Sequence, residues 1–136
     1  MLWFLKPLDF LVVVIPEEHP LAKYDKFPMH ELSNSPFMLL EKGEKSEISE
    51  FFVQHQIAPR VHFTTWDDYA IMSMVENGLG ISILPELILQ RTPYKIVKKE
   101  LEDPAFRNIG IAMRQQKSLS LASRKFLEYL PYRKKE

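Results

Sequence analysis

The stretch TTWDD, Thr64 to Asp68, gathers two hydroxyls, an indole and two adjacent carboxylates. Paired carboxylates can do general acid–base work when their surroundings push their proton affinities apart. At the start of a helix the same pair has a plainer use, complementing the positive end of the dipole, and that reading is preferred. Histidines 19, 30, 55 and 62 show neither H-x-x-x-H nor H-E-x-x-H spacing, so no metal cluster is expected. Ser82, in GISIL, lacks the G-x-S-x-G context of a nucleophile elbow. The pair Gly78 and Gly80 lacks the third glycine of a dinucleotide fingerprint, precedes a strand pattern, and is followed by no Walker lysine. With no nucleophile–base pair and no metal or cofactor signature, an enzyme is not expected.

What positions these residues is a series of strand-to-helix junctions. FLVVVIP reads as a buried strand ended by its proline, and FMLLE as a second. Between them Pro20, Pro28 and Pro36 punctuate a loop with short helical turns. From Ser46, a fitting N-cap, Ile48, Phe51 and Phe52 share one helical face. RVHFTTW is a third strand, with Val61 and Phe63 directed one way and His62 and Thr64 the other. Thr65 to Asp68 fits a capping box for a helix whose apolar stripe is Ile71, Met74 and Val75. Gly78 falls just past that helix, where a left-handed residue is wanted. ISIL is a short strand, and Pro85 is placed to open another helix at its N1 position. PYKIVKKEL and FRNIGIAMR read as strands, the latter with Ile109, Ile111 and Met113 on one face. A final amphipathic helix aligns Ala122, Phe126 and Leu130, and PYRKKE ends the chain as a frayed basic tail. This alternation argues for an α/β sheet with crossover connections. In such sheets the ends of strands and the helix starts after them line the ligand crevice, which draws attention to Thr64, Thr65, Trp66 and Ser82. Capping for the threonines, and plain packing for Trp66, are equally open readings.

A chain of 136 residues fits one domain, or two small lobes sharing a core. Lys plus Arg and Asp plus Glu count 18 each, so the formal net charge is zero, which argues against nucleic acid as the main partner. No cysteine is present, which excludes disulfides and thiolate metal sites. MLWFLKPLDF makes a poor signal peptide, and the longest apolar run, Phe10 to Ile15, is too short to cross a bilayer. A cytoplasmic protein without a membrane partner is expected.

Five segments, PLDFLVVVIPEEHPLA, ELSNSPFMLLEKG, FFVQHQIAPRVHF, MVENGLGISILPEL and FRNIGIAMR, stand in an order that resembles the effector-binding domain of LysR-type transcriptional regulators. HPLA and V-x-x-G-L-G-I-x-x-L-P at this separation are the more specific parts, and the resemblance covers essentially the whole chain. It implies an α/β fold of the type 2 periplasmic-binding-protein kind, with one complete lobe plus part of the other. About residues 12–101 would form the second lobe. Residues 1–11 and 102–136 would be the crossover and a remnant of the first, with the winged helix-turn-helix absent. It further implies a non-catalytic sensor of a small-molecule effector, acting in a homo-oligomer and reaching DNA only through the absent N-terminal domain. A solute-binding protein of a transport system is the alternative. The effector would lie between lobes, and the second lobe's share maps to the loop carrying Lys42 and Gly43, to Thr64, Thr65, Trp66 and Asp68, and to Gly80, Ile81 and Ser82. A loop of the first lobe that supplies a hydroxyl in the family has no counterpart here.

Zero net charge and the lack of a recognition helix predict that this chain does not select an operator sequence. A mobility-shift titration at physiological salt should show at most weak, salt-sensitive retention; submicromolar, sequence-dependent binding would contradict this.

Overall fold

The apolar run at Phe10–Ile15 lies inside a much longer strand. The computed structural model describes residues 2–41, 43, 46–114 and 116–130, with the backbone alone at residues 2–8 and 116. Strand β1 spans Leu2–Pro16. Val13, Val14 and Ile15 are all fully buried, so both faces of the strand are covered there, as β-branched residues on both faces require. Two antiparallel neighbours flank it, β5 (Ile81–Pro85) and β6 (Ile96–Leu101). The other strands are β2 (Lys26–Phe27), β3 (Pro36–Leu40), β4 (Arg60–Thr65) and β7 (Ala105–Ala112). Their order is β2-β6-β1-β5-β3-β4, with β7 also pairing β1.

Strands β3, β4 and β5 run parallel to one another, which demands crossovers. Helix α1 (Glu47–Gln54) joins β3 to β4, and α2 (Asp68–Glu76) joins β4 to β5. The expected cap on α1 is present: Ser46 Oγ accepts the Ser49 N–H at 3.4 Å and donates to the Leu40 carbonyl at 3.3 Å. Ile48, Phe51 and Phe52 are buried, and the Phe52 ring meets Phe37 of β3 edge-on at 5.0 Å. His55, just past α1, donates from Nε2 to Asp103 Oδ2 at 2.7 Å. That hydrogen bond, with one to the Phe51 carbonyl, raises the His55 pKa. A raised folded-state value means the link stabilises below the ordinary histidine range and fades as pH rises through the folded value.

The start of α2 corrects the sequence reading. Its N-cap is Asp67, whose Oδ1 accepts the N–H groups of Tyr69 and Ala70 at 2.9 and 3.3 Å. Thr65 Oγ1 instead accepts the Asp67 N–H at 3.2 Å. An ionised carboxylate that reaches two orphan donors outcompetes a hydroxyl that reaches none in the helix. Pro85 is likewise not the first residue of an α-helix. It closes β5 and precedes a 3-10 turn at Glu86–Leu89, a span too short to nucleate an α-helix. In β4, which pairs with β3 alone among the described strands, the expected alternation does not bury one face: Val61, His62, Phe63 and Thr64 are all exposed.

Residues 8–107 form one compact unit, and residues 1–7 with 108–136 another. The second contains α3 (Leu121–Tyr129), capped by Ser120 and burying none of its residues. Ile111, Met113, Ala122, Phe126 and Leu127 border an apolar groove in that unit. The basic tail lies outside the described residues.

The two glycines of GLG have different duties. Gly78, at φ +75°, ends α2 in a Schellman motif: its N–H meets the Val75 carbonyl at 2.9 Å, and the Leu79 N–H meets Met74 at 3.0 Å. Gly80 is packed against β3, where an added Cβ would overlap the Pro36 carbonyl and stand 2.7 Å from Met38 Cε. Gly78→Ala should therefore cost about 1 kcal/mol through backbone conformation alone. Gly80→Ala should cost about 3 kcal/mol, because β3 has to move. Urea-unfolding midpoints of the two variants test the order, and equal losses would refute it.

Candidate functional site: a crevice at the strand ends

The parallel strands β3, β4 and β5 end at Leu40, Thr65 and Pro85, and the helices α1 and α2 begin close after the first two. A small cavity of about 60 Å³ opens there, wholly within residues 8–107. Leu11, Leu40, Ile48, Pro85 and Ile88 give it apolar walls, and Ser46, Glu47, Asp68 and Arg107 supply the polar groups. It sits where an open α/β sheet places ligands, beside helix N-termini.

Arg107 reaches the crevice from β7. Its Nε donates to Asp9 Oδ2 at 2.7 Å, and Asp9 Oδ1 accepts the Leu87 N–H at 3.0 Å. The Asp9 side chain is only 1% exposed. A carboxylate so buried is tolerated because both oxygens have donors, one of them charged. The pair thus ties β1, the turn after β5, and β7 together behind the crevice.

The residues singled out from sequence divide into separate groups. Asp68 lines the crevice. Thr65 does not line it; it is half-buried at the end of β4, its carbonyl accepting the Glu41 N–H at 3.0 Å. Thr64 and Trp66 beside it are exposed, Trp66 at 78%. Gly43 is exposed at φ +94° with open space around it, and Lys42 lies outside the described residues. Gly80, Ile81 and Ser82 stand elsewhere. Ile81 pairs with Phe37 and Ser82 with Met38, toward the N-terminal end of β3, whereas Thr64 and Thr65 pair with Leu39 and Leu40. Ser82 is fully buried and its Oγ donates to the Met38 carbonyl at 2.6 Å, so this hydroxyl fastens β5 to β3. Ile81 is core. Among the described residues no group of three or more His, Cys, Asp or Glu is placed to hold a metal.

Sequence reasoning passed over Ser46, Glu47 and Arg107 as crevice residues, and Asp9 as the partner that holds Arg107. A signal existed for Arg107. Strand alternation puts it on the same face as Ile109 and Ile111, an odd place for an unpaired guanidinium.

Comparison with known proteins decides the family. The family model described as the LysR substrate binding domain matches residues 8–133. The chain belongs to the LysR substrate-binding domain family. It is 29% identical over 122 residues to the uncharacterized HTH-type transcriptional regulator YvbU of Bacillus subtilis, covering 88% of this chain and 42% of that protein. With the HTH-type transcriptional activator CmpR of Synechocystis it shares 31% identity over 125 residues, covering 88% and 41%. The chain thus spans less than half the length of these curated relatives. Among solved structures, the C-terminal domain of a probable LysR family regulator from Rhodococcus matches at TM-score 0.80 and 25% identity, over 96% of this chain and 67% of that one. The effector binding domain of QuiR in complex with shikimate matches at TM-score 0.77 and 27% identity, over 95% and 63%. The fold is that of LysR effector-binding domains, the type 2 periplasmic-binding-protein kind. No helix among the described residues is long and apolar enough to cross a membrane.

The two ways of holding the crevice should separate in stability. Asp67→Ala should cost about 1 kcal/mol as a lost cap, and Thr65→Val less, since its hydroxyl serves one exposed N–H. Arg107→Ala should cost roughly 2–3 kcal/mol by leaving the Asp9 carboxylate buried without its cation. Thermal or urea unfolding of the three variants gives the ranking.

Proposed function

We propose that this chain is the effector-sensing part of a LysR-type transcriptional regulator. The crevice at the ends of β3, β4 and β5 carries the reading, because it combines apolar walls with a few polar groups at helix starts. Residues of about 12–101 act as a complete second lobe, with 1–11 and 102–136 as crossover and part of a first. The chain is non-catalytic. A small molecule acts through unequal affinity for two arrangements of a homo-oligomer, and so shifts how a helix-turn-helix domain of the kind named in its relatives engages DNA. The domain of QuiR in complex with shikimate supports a small polar metabolite as the class of effector. The matched relatives are named as regulators, which favours sensing over transport.

In this role Asp68 and Ser46 face the ligand from the crevice, and Thr65 at the end of β4, with Thr64 and Trp66 beside it, meets the part of the ligand that extends out of it. Thr65→Val in the intact regulator should raise the inducer concentration for half-maximal reporter expression by about fivefold, the worth of one hydrogen bond. A dose–response curve that superimposes on the wild type would remove Thr65 from the site.

A further inference from the structure

His55 closes α1 with both ring nitrogens on acceptors. Nε2 meets Asp103 Oδ2 at 2.7 Å, and Nδ1 meets the Phe51 carbonyl at 2.9 Å. A carboxylate and a carbonyl have no proton to give, so each nitrogen has to donate, and only the imidazolium carries both protons. Two further features favour that cation. The ring lies against Phe51, centroids 4.3 Å apart, and it stands at the C-terminal end of a helix. His19 is the opposite case: its Nδ1 accepts the Leu21 N–H at 3.1 Å, which a protonated nitrogen cannot do.

Asp103 lies between β6 and β7, the strand that carries Arg107 to the crevice. Glu102 is fastened on its own, its Oε1 accepting the Met29 N–H at 2.7 Å, and farther on Arg107 is held by Asp9. Between those two ties the turn reaches α1 through the His55 bond. Among the described residues Asp103 is the charged group that bears on the ring. Glu102 is turned to Met29, and Glu47 and Glu50 stand at the far end of α1.

We infer that His55 and Asp103 form a pH-sensitive latch, which fastens the β6–β7 turn to α1 while the imidazolium lasts and releases it as pH rises. With one proton the ring serves one acceptor and presents a lone pair to the other oxygen. The ring stays with α1 through its own backbone and Phe51, whereas Asp103, with its side chain 68% exposed, has water to turn to. The bond given up is therefore the one to Asp103. Because the bond raises the folded-state pKa of His55, its contribution is complete below the unfolded value and lost as pH climbs through the folded one.

A pH titration of the chain followed by NMR tests this. The His55 ring should titrate above a free histidine, with both nitrogens protonated below its midpoint, and the Asp103 and Ala105 amide shifts should follow the same midpoint. Asp103→Asn, at an exposed site, should lower the His55 midpoint and flatten the response of the turn. His55→Gln should flatten it too. His19 serves as the internal reference, titrating below a free histidine in all three proteins. In urea unfolding, Asp103→Asn should lower the folding equilibrium constant about threefold on the acid side of the His55 midpoint, the worth of an ion pair with an exposed partner, and not at all well above it. A His55 midpoint at or below that of a free histidine, turn amides that stay flat while the ring titrates, or a midpoint unmoved by Asp103→Asn would each overturn the latch.

Discussion

Three consecutive β-branched residues, Val13, Val14 and Ile15, are wholly removed from water, and the unit formed by residues 8–107 is organised around that requirement. A strand apolar on both faces has to be central, with helices or turns over it and hydrogen-bonding partners on each edge. β5 and β6 supply the edges in antiparallel register, and the three parallel strands then spread outward from β5. The crossover helices α1 and α2 follow from that parallel order, and their N-termini come to the strand ends where the crevice opens. The site is thus a by-product of how the central strand is covered.

The second constraint is a single buried carboxylate. Asp9 lies two residues before the buried run, and its side chain would be costly there without donors. Leu87 and Arg107 provide them from positions 78 and 98 residues away. The same bonds that settle Asp9 also fix the orientation of Arg107 at the crevice. One polar pair therefore serves the fold and shapes the electrostatics of the site, and a substitution at either residue would disturb both.

The glycine pair shows how closely packing governs this sheet. Gly78 is there for its backbone angle and Gly80 for its missing side chain, since β3 occupies the space a Cβ would need. Ser82, two residues on, continues the same contact through its bond to Met38. Together they lock β5 against β3, so the most glycine-rich stretch of the chain is scaffold.

Local patterns determined what local physics controls. The apolar periodicity of FLVVVIP, FMLLE and the two crossover helices, the Ser46 cap and the left-handed Gly78 all depend on residues within a turn or two, and each is legible in the residues themselves. The ordered series of segments likewise indicated the LysR family, which the family match shows. Tertiary structure alone decided that Asp67 and not Thr65 caps α2, because two geometrically possible caps compete and only the real backbone path tells which oxygen reaches the helix donors. It alone turned Ser82 inward, set β4 at an uncovered edge, and brought Asp9 to Arg107. Those outcomes depend on strand order and register between residues tens of positions apart, and neither propensity nor periodicity carries information over that separation.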